Sequence, residues 1–360
     1  MALCPLAGCR YAPRVHSSRW VLGVAMTLGG LGAALGFAAC GSSSSPVAAG
    51  GTEAGRVDSG GSDTSDSGAP SLDTGVPIFN TEAGDVVASA DASCEPPDLL
   101  IVLDRSLSMA QLPSGTGYPP KTDAGYLETK WYLAGAAIGD IVMAPNDETT
   151  FFGLELLPKA VPISSAPDAS ACYTVDEARS VTAANLDNVS CEPGEVVVLP
   201  GAGNGAAITG AIQAAPLCGG TPLGAALTTA QTTLQALATG GRKRYVLIVT
   251  DGEQSPSCLD ASVGGGSPVT AAQSLAAAGI ETYVVGFGAQ AGVADLNDIA
   301  CAGMTASSFA TSCVKRDGAA GYVTAPGVTT PLFYAAADGA ALETALKGIA
   351  VAVCSCGCAQ

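Results

Sequence analysis

The sequence predicts an α/β fold: an open, mostly parallel, doubly wound sheet with helices on both faces, preceded by a disordered tether. Two observations lead to this prediction. Residues 98–104 and 245–249 form continuous apolar runs bounded by polar residues, a pattern typical of central strands buried on both faces. Segments with a helical pattern alternate with strand-like segments after residue 94, and this alternation is typical of parallel sheets.

The individual elements follow from the same patterns, read in chain order. Strands are predicted at Asp98–Asp104, Phe151–Leu157, Val196–Leu199 (an edge strand), Tyr245–Val249, Thr282–Phe287 and Leu332–Ala335. Helices are predicted at Tyr126–Met143, Asn204–Ala215, Pro222–Thr239, Val269–Ala278, Val293–Ala302 and Gly339–Val351. Asp338 is the expected N-cap of the last helix, because a carboxylate there accepts from backbone N–H groups that have no helical partner. Residues 161–193 have the composition of a loop.

Residues 1–40 have the layout of an export signal. Arg10, Arg14 and Arg19 precede an apolar run that ends in Phe-Ala-Ala-Cys at Cys40. This ending resembles a bacterial lipobox, which implies that Cys40 is lipidated and that the protein binds a membrane through its N-terminal lipid. Two or three acyl chains would anchor the chain stably. The alternative interpretation is a transmembrane anchor that ends in a cysteine.

Residues 41–93 are rich in Gly, Ser, Ala, Thr and Asp. Such a segment buries too little apolar surface to offset its ordering entropy, so it is predicted to be a disordered tether. A flexible chain of this length reaches roughly 40 Å. Gly41 and Ser42 follow Cys40, and because no Asp is present there, an outer-membrane location is favoured. Residues 94–360 are predicted to form one domain with a Cys-rich tail.

Charge and histidine content exclude several classes of function. The formal net charge is −17, and after residue 40 the chain has 12 basic and 32 acidic residues. Nucleic-acid binding is therefore not expected, since it needs clustered Lys and Arg. The only histidine is His16, which lies in the predicted signal. Catalysis by Ser-His-Asp or Cys-His groups and His-ligated zinc sites are thus excluded from the rest of the chain.

Oxygen-bearing side chains follow three of the predicted strands and loops. Asp104, Ser106 and Ser108 follow the first strand, Thr221 opens a helix, and Asp251 follows the strand at 245–249. In doubly wound sheets, ligands bind at the carboxyl ends of the strands. Carboxylates and hydroxyls suit hard cations, so these five residues are candidate ligands of Mg²⁺, Mn²⁺ or Ca²⁺.

This set resembles the metal-ion-dependent adhesion site of the von Willebrand factor type A domain. The family pattern is Asp-x-Ser-x-Ser, a distant Thr and a later Asp, which match the five residues above in order. The resemblance implies a Rossmann-like fold, and a metal whose open position is filled by a partner's carboxylate. It implies direct metal binding by the serines, direct binding by Thr221 in the high-affinity state, and largely water-mediated binding by the aspartates. Leu107 stands where the family often has Gly, and Arg105 either attracts an acidic partner or pairs with a local acid.

Ten cysteines remain once Cys4, Cys9 and Cys40 are set aside. They are Cys94, Cys172, Cys191, Cys218, Cys258, Cys301, Cys313, Cys354, Cys356 and Cys358. An even number in an exported chain is typical of disulfides, although the sequence does not determine the pairing. A bridge from Cys172 to Cys191 would close the predicted loop. Alternatively, Cys354, Cys356 and Cys358 form a thiolate site for a soft metal.

The family resemblance adds an expectation about the termini. In that family the two ends of the domain lie close together, so a bridge from Cys94 to the C-terminal cysteines is expected. Such a bridge would restrain the last helix and hold the domain in one affinity state while oxidised.

Three functions are compatible with these features of the sequence. The first is a membrane-anchored surface binding module that captures a protein or glycan-associated carboxylate through the metal. The second is a structural lipoprotein of an envelope complex, in which the metal only stabilises the fold. The third is a metal-dependent hydrolase, which the missing histidine disfavours, so a non-enzymatic protein is expected.

Overall fold

The central sheet of the protein has six strands. The computed structural model describes residues 95–117, 119, 124–160, 172–173, 191–238, 240–252, 254–260, 266–289, 291–315 and 321–356. The predicted signal at 1–40 with Cys40, the tether at 41–93 and Cys94 lie outside these residues. In chain order the strands are β1 (Asp98–Asp104), β2 (Phe151–Leu157), β3 (Cys172–Tyr173), β4 (Glu195–Gly201), β5 (Leu217–Cys218), β6 (Arg244–Thr250), β7 (Ile280–Phe287), β8 (Cys313–Lys315), β9 (Tyr322–Thr324) and β10 (Tyr334–Ala336).

The sheet is parallel except at one edge. Its strand order is β10-β7-β6-β1-β2-β4, and β4 pairs antiparallel with β2, whereas the other neighbours are parallel. The predicted mostly parallel sheet is confirmed, and so is the edge position of the strand near residue 196. Two short antiparallel pairs, β3 with β5 and β8 with β9, lie outside this sheet.

The helices cover both faces of the sheet, as predicted. They are α1 (Lys130–Val142), α2 (Asn146–Thr149), α3 (Gly205–Ala214), α4 (Leu223–Ala236), α5 (Pro268–Ala277), α6 (Val293–Ala302), α7 (Phe309–Ser312) and α8 (Gly339–Cys356). Among the described helices, none combines the length and the hydropathy that a membrane crossing requires.

The alternation of side chains along β1 divides the core into two layers. Leu99 and Ile101 pack in the layer that contains apolar residues of α1, α3 and α8. Leu100 and Val102 point to the opposite layer, with residues of α4, α5 and α6. All seven residues of β1 are buried, because a central parallel strand has helices on both sides.

Local hydrogen bonds set the helix and strand ends that the sequence pattern misplaced. Residues 124–128 form a 3₁₀ turn, and α1 begins only at Lys130, where the Thr129 hydroxyl accepts from Tyr132 N at 3.3 Å. The last strand begins at Tyr334 rather than Leu332, because Leu332 N donates to Asn297 Oδ1 at 2.6 Å instead of joining the sheet. The predicted cap of α8 is confirmed, since Ala341 N donates to Asp338 Oδ1 at 2.9 Å.

The predicted bridge between Cys172 and Cys191 is wrong. Three disulfides lie within the described residues: Cys172–Cys218, Cys191–Cys258 and Cys301–Cys313. The first follows from strand pairing, because β3 and β5 place Cys172 directly opposite Cys218. The expected bridge from Cys94 and the alternative thiolate site depend on side chains outside the described part of the chain.

Candidate functional site

The candidate site lies at the carboxyl ends of the two adjacent central strands, β1 and β6. Asp104 is the last residue of β1, Thr250 is the last residue of β6, and Asp251 follows directly. Because these strands are parallel neighbours, both aspartates leave the sheet at the same edge, where doubly wound folds bind ligands.

A tight turn after β1 brings the first three candidate ligands together. Ser106 N donates to Asp104 Oδ1 at 2.7 Å, a local side-chain bond that ends the strand and starts the turn. A 3₁₀ helix over Leu107–Ala110 follows and places Ser108 Oγ 2.8 Å from Ser106 Oγ. Leu107 is buried in the core, so this departure from the family pattern does not shape the rim of the site.

Asp251 connects this turn to the next strand and to helix α1. Ser108 Oγ donates to Asp251 Oδ1 at 2.8 Å. The other carboxylate oxygen, Oδ2, accepts from the ammonium group of Lys130. Lys130 and Asp251 both have side chains that are 1% exposed, so this is a buried ion pair.

Asp104 is fully buried, and its surroundings disfavour its charge. Burial raises the pKa of Asp104 to about 7, with a further contribution from the negative charge of Asp251, while hydrogen bonds from Thr250 and Ser106 act in the opposite direction. The Thr250 hydroxyl donates to Asp104 Oδ2 at 2.6 Å. Two buried carboxylates that repel each other form a site that a cation would stabilise.

Thr221 joins the site through its loop. Cys218 N, at the end of β5, donates to Arg105 O at 2.8 Å, which holds the start of this loop against the first turn. Thr221 N donates to Ser255 Oγ at 2.9 Å, and Ser255 N donates back to Thr221 O at 3.1 Å. The threonine is 7% exposed and is fixed beside the loop that carries Asp251.

The side chain of Gln254 hydrogen-bonds to backbone groups of the neighbouring loops. Its side-chain oxygen accepts from Gly224 N at 2.7 Å, at the start of α4. Its amide nitrogen donates to Cys258 O and Gly266 O, both at 2.7 Å. The amide therefore hydrogen-bonds to three backbone groups, and it fixes the start of α4 next to the loop that carries Asp251.

Arg105 belongs to the fold rather than to the rim of the site. Its Nε donates to Pro158 O at 2.6 Å, and its guanidinium lies 3.5 Å from Glu195 Oε2. The side chain is 2% exposed, so it is not available to attract an acidic partner. Of the two alternatives for this residue, pairing with a local acid is the one that the contacts favour.

Sequence reasoning missed the residues that support the ligands. Lys130, Thr250 and Gln254 contact candidate ligands or their loops, yet none belongs to the ligand pattern. Lys130 carried one signal: a lysine at the first position of a helix is unfavourable beside the positive end of the helix dipole. The first turn of α1 also contains no acid to offset it.

The donor set fits a hard divalent cation. Asp104, Ser106, Ser108, Thr221 and Asp251 supply two carboxylates and three hydroxyls, all oxygen donors of the kind that Mg²⁺, Mn²⁺ and Ca²⁺ take. Within the described residues no group of three or more His, Cys, Asp or Glu side chains is placed to hold a metal. The set is therefore poor in charge, with hydroxyls in the majority.

Comparison with known protein families points to the same kind of domain as the fold and the ligand-bearing loops. The profile of the von Willebrand factor type A domain matches residues 175–315, so this part of the chain is similar to that domain. Thr221 and Asp251 lie inside the matched range, whereas Asp104, Ser106 and Ser108 precede it. The pairing of β1 with β6 brings the two parts of the site together.

Solved structures with a similar arrangement come from unrelated settings. Proximal thread matrix protein 1 from the mussel byssus is 14% identical, with a TM-score of 0.42, and the match covers 72% of this chain and 47% of that one. The pilus adhesin SpaC from Lactobacillus rhamnosus GG is 14% identical, with a TM-score of 0.43, covering 72% of this chain and 30% of the adhesin. An aerotolerance-related membrane protein from Bacteroides fragilis is 16% identical, with a TM-score of 0.38, covering 71% and 98%.

The chain thus spans about half of the mussel protein and less of the adhesin. The mussel protein has also been solved with zinc in its metal-ion-dependent adhesion site. At these identities and TM-scores no function transfers from these proteins to the chain. The comparison with curated proteins gives no match.

Proposed function

We propose that this protein is a binding module that captures a carboxylate-bearing partner, a protein or a glycan-associated acid, through a divalent cation. One observation carries the proposal: two buried carboxylates lie on adjacent strand ends, and one of them, Asp251, accepts a hydrogen bond from the Ser108 hydroxyl of the same edge. Lys130 balances only one of the two buried carboxylates, and a buried charge without a partner is unfavourable, so the site has a physical reason to bind a metal cation.

The cation would be held by Asp104, Ser106, Ser108, Thr221 and Asp251. When bound, Mg²⁺, or in its place Mn²⁺ or Ca²⁺, supplies a concentrated positive charge and a position for an outside oxygen ligand. The protein residues keep the site dry and oriented: Thr250 holds Asp104, and Ser255 holds the Thr221 loop. The proposal concerns binding rather than catalysis, because the chain has no histidine after His16 to act as a general base.

Anchoring is the second part of the proposal. A lipid on Cys40, at the end of the apolar run, would fix the chain to the cell envelope, with an outer-membrane location favoured by Gly41 and Ser42. The segment at 41–93 would then give the domain a reach of roughly 40 Å from the membrane. Metabolic labelling with an azido fatty acid tests this part: incorporation that is lost in Cys40→Ser supports it, and labelling that persists in that variant contradicts it.

Metal binding is tested by titrating the purified protein with MgCl₂, MnCl₂ and CaCl₂ while following thermal unfolding. A ligand at about 100 times its dissociation constant adds about 2.7 kcal/mol of stability. Asp251→Ala is expected to abolish the gain. Asp140→Ala, at an exposed position on α1, is the matched control and should keep it. Unchanged stability in the wild-type protein at millimolar metal would contradict the metal site.

Partner capture is tested with a defined probe. An immobilised glutamate-rich peptide is expected to bind in Mg²⁺ and to be released by chelator, whereas the corresponding glutamine-rich peptide is not bound. If metal stabilises the protein but neither peptide binds, the structural lipoprotein with a stabilising metal becomes the better description.

A further inference from the structure

A buried lysine lies against one of the two carboxylates of the site. The ammonium group of Lys130 donates to Asp251 Oδ2, and the side chain is 1% exposed. Burial of a lysine is costly unless its charge is paired. The contact with Asp251 therefore accounts for the position of the ammonium group, and the ammonium group in turn orients the carboxylate.

Backbone contacts hold Lys130 in place. Its N–H donates to Gln111 O at 2.8 Å, just after the turn that carries Ser106 and Ser108. Its aliphatic stem packs close to Gly288, where an added Cβ would lie 3.2 Å from Lys130 Cδ. The stem is thus enclosed from the side of β7, and the ammonium group has little freedom to leave Asp251.

The lysine changes the charge of the site. When both are ionised, Asp104 and Asp251 contribute two negative charges, Lys130 contributes one positive charge, and Arg105 is engaged by Pro158 and Glu195. The ligand cluster with its lysine therefore carries about one net negative charge rather than two. A site with less negative charge binds a divalent cation less tightly, and a loaded site retains more positive charge for an anionic partner.

We propose that Lys130 is an internal counter-cation that weakens metal binding at Asp251 and leaves the metal-loaded site with net positive charge, which favours a carboxylate-bearing partner. This inference rests on the proposed function. It deepens that function by naming the residue that sets both the metal affinity and the charge preference of the site. Lys130 is a positioning residue in this scheme, since it touches Asp251 and not the partner.

A counter-cation and a purely structural lysine predict opposite changes in Mg²⁺ affinity when Lys130 is replaced. A lysine that only oriented Asp251 would improve metal binding, so its loss would weaken Mg²⁺ affinity. A counter-cation repels the metal, so its loss should strengthen Mg²⁺ affinity. Unit charges a few ångströms apart in a partly buried site change an equilibrium constant by roughly 10- to 100-fold.

The experiment compares Mg²⁺ affinity of the wild-type protein and Lys130→Met by isothermal titration calorimetry. Mg²⁺ should bind the variant roughly 10- to 100-fold more tightly, while binding of the glutamate-rich peptide at saturating Mg²⁺ should weaken. Lys243→Met is the matched control, because Lys243 is exposed beyond the opposite end of β6, and it should leave both affinities unchanged. Equal or weaker Mg²⁺ binding by Lys130→Met would overturn the inference.

A second variant covers the case in which the methionine variant does not fold. Lys130→Gln removes the charge but keeps an N–H donor for Asp251, and it should show the same gain in Mg²⁺ affinity. If the wild-type protein and both folded variants bind no Mg²⁺, Mn²⁺ or Ca²⁺, the metal site itself is wrong. If the wild-type protein binds Mg²⁺ and neither variant binds it more tightly, only the role of Lys130 is wrong.

Discussion

Glu155 lies in the middle of β2, fully buried, and replacing it with leucine is expected to stabilise the protein. Within the part of the chain that the structure describes, both carboxyl oxygens are buried without a hydrogen-bond partner. The residue is in register with Val102 on one side and Val196 on the other. The backbone of Gly194 lies so close that an added Cβ there would overlap the carboxylate. The side chain is therefore a polar group enclosed by apolar and backbone atoms.

The sign of the pH dependence follows from this burial. Burial raises the pKa of Glu155 well above its usual value, so the folded state holds its proton at a pH where the unfolded chain has released it. The free energy of unfolding is therefore unaffected by this residue's ionisation below the unfolded pKa of about 4.3. It decreases as the pH rises from that value toward the folded pKa. The penalty for keeping Glu155 is thus larger at pH 8 than at pH 4.

The magnitude can be bounded from the two unsatisfied oxygens. A buried polar group without a partner costs about 1–3 kcal/mol, and its replacement by an apolar group of similar shape removes that cost. For a domain of this size, 1 kcal/mol shifts the midpoint of thermal unfolding by about 2–4 °C. Glu155→Leu should therefore raise the midpoint by at least about 2 °C at acidic pH, and by more at pH 8.

The assay is urea and thermal unfolding at several pH values between 4 and 8, with Glu155→Gln as the matched control. Glutamine keeps the buried polar group but removes the ionisation, so that variant should have a flatter pH profile without the gain at acidic pH. A Glu155→Leu protein that is less stable than wild type across the whole range would refute the reasoning. Such a result would mean that the carboxyl group has a stabilising partner.

Three further substitutions test contacts at the two ends of the central strands. Arg242→Met should destabilise by about 3 kcal/mol in urea unfolding, because it leaves the buried carboxylate of Asp98, 3.1 Å from the guanidinium, without its ion pair; a loss below 0.5 kcal/mol would contradict this. Thr250→Val removes the hydroxyl that donates to Asp104 and should cost about 1.5–3 kcal/mol, with Mg²⁺ affinity reduced by calorimetry; unchanged stability would argue against the bond. Gly224→Ala should destabilise by about 1–3 kcal/mol, because its Cβ would collide with the backbone carbonyl of Gly266, whereas Gly210→Ala, with open space around it, should be neutral or stabilising.

The strands and most helices could be predicted because their signals are local. The apolar run of β1 and the run of β6 are buried along nearly their whole length, as a central parallel strand requires. Helix α6 begins and ends at the predicted residues. The five candidate ligands could be grouped for a related reason: each follows a strand or opens a helix, and the carboxyl ends of parallel strands meet at one edge.

The disulfides could not be predicted, because their pairing depends on contacts between distant residues. Cys172 is opposite Cys218 only through the pairing of β3 with β5, and each of these strands has two residues. A strand of that length has too few residues to show an alternating pattern. Sequence spacing instead favoured the nearer cysteine, Cys191, which pairs with Cys258.

The lysine in the site illustrates the other limit of sequence reasoning. The pattern of metal ligands contains only residues with oxygen donors, so it does not predict a lysine beside them. Lys130 reaches Asp251 because the turn after β1 ends at Gln111, whose carbonyl accepts from Lys130 N at 2.8 Å and sets where α1 begins. That geometry depends on two elements that meet only in the folded chain.

The charge balance of the site links its stability to its function. Asp104 has a hydroxyl as its partner for Oδ2, and Asp251 has an ammonium group, so the two carboxylates are stabilised unequally. A divalent cation would relieve most of the remaining cost at Asp104, since it is this carboxyl whose pKa burial raises. Metal binding should therefore add stability even though Lys130 opposes it. Under the proposed role of Lys130, the same opposition would leave net positive charge on the metal-loaded site, where a partner's carboxylate would bind.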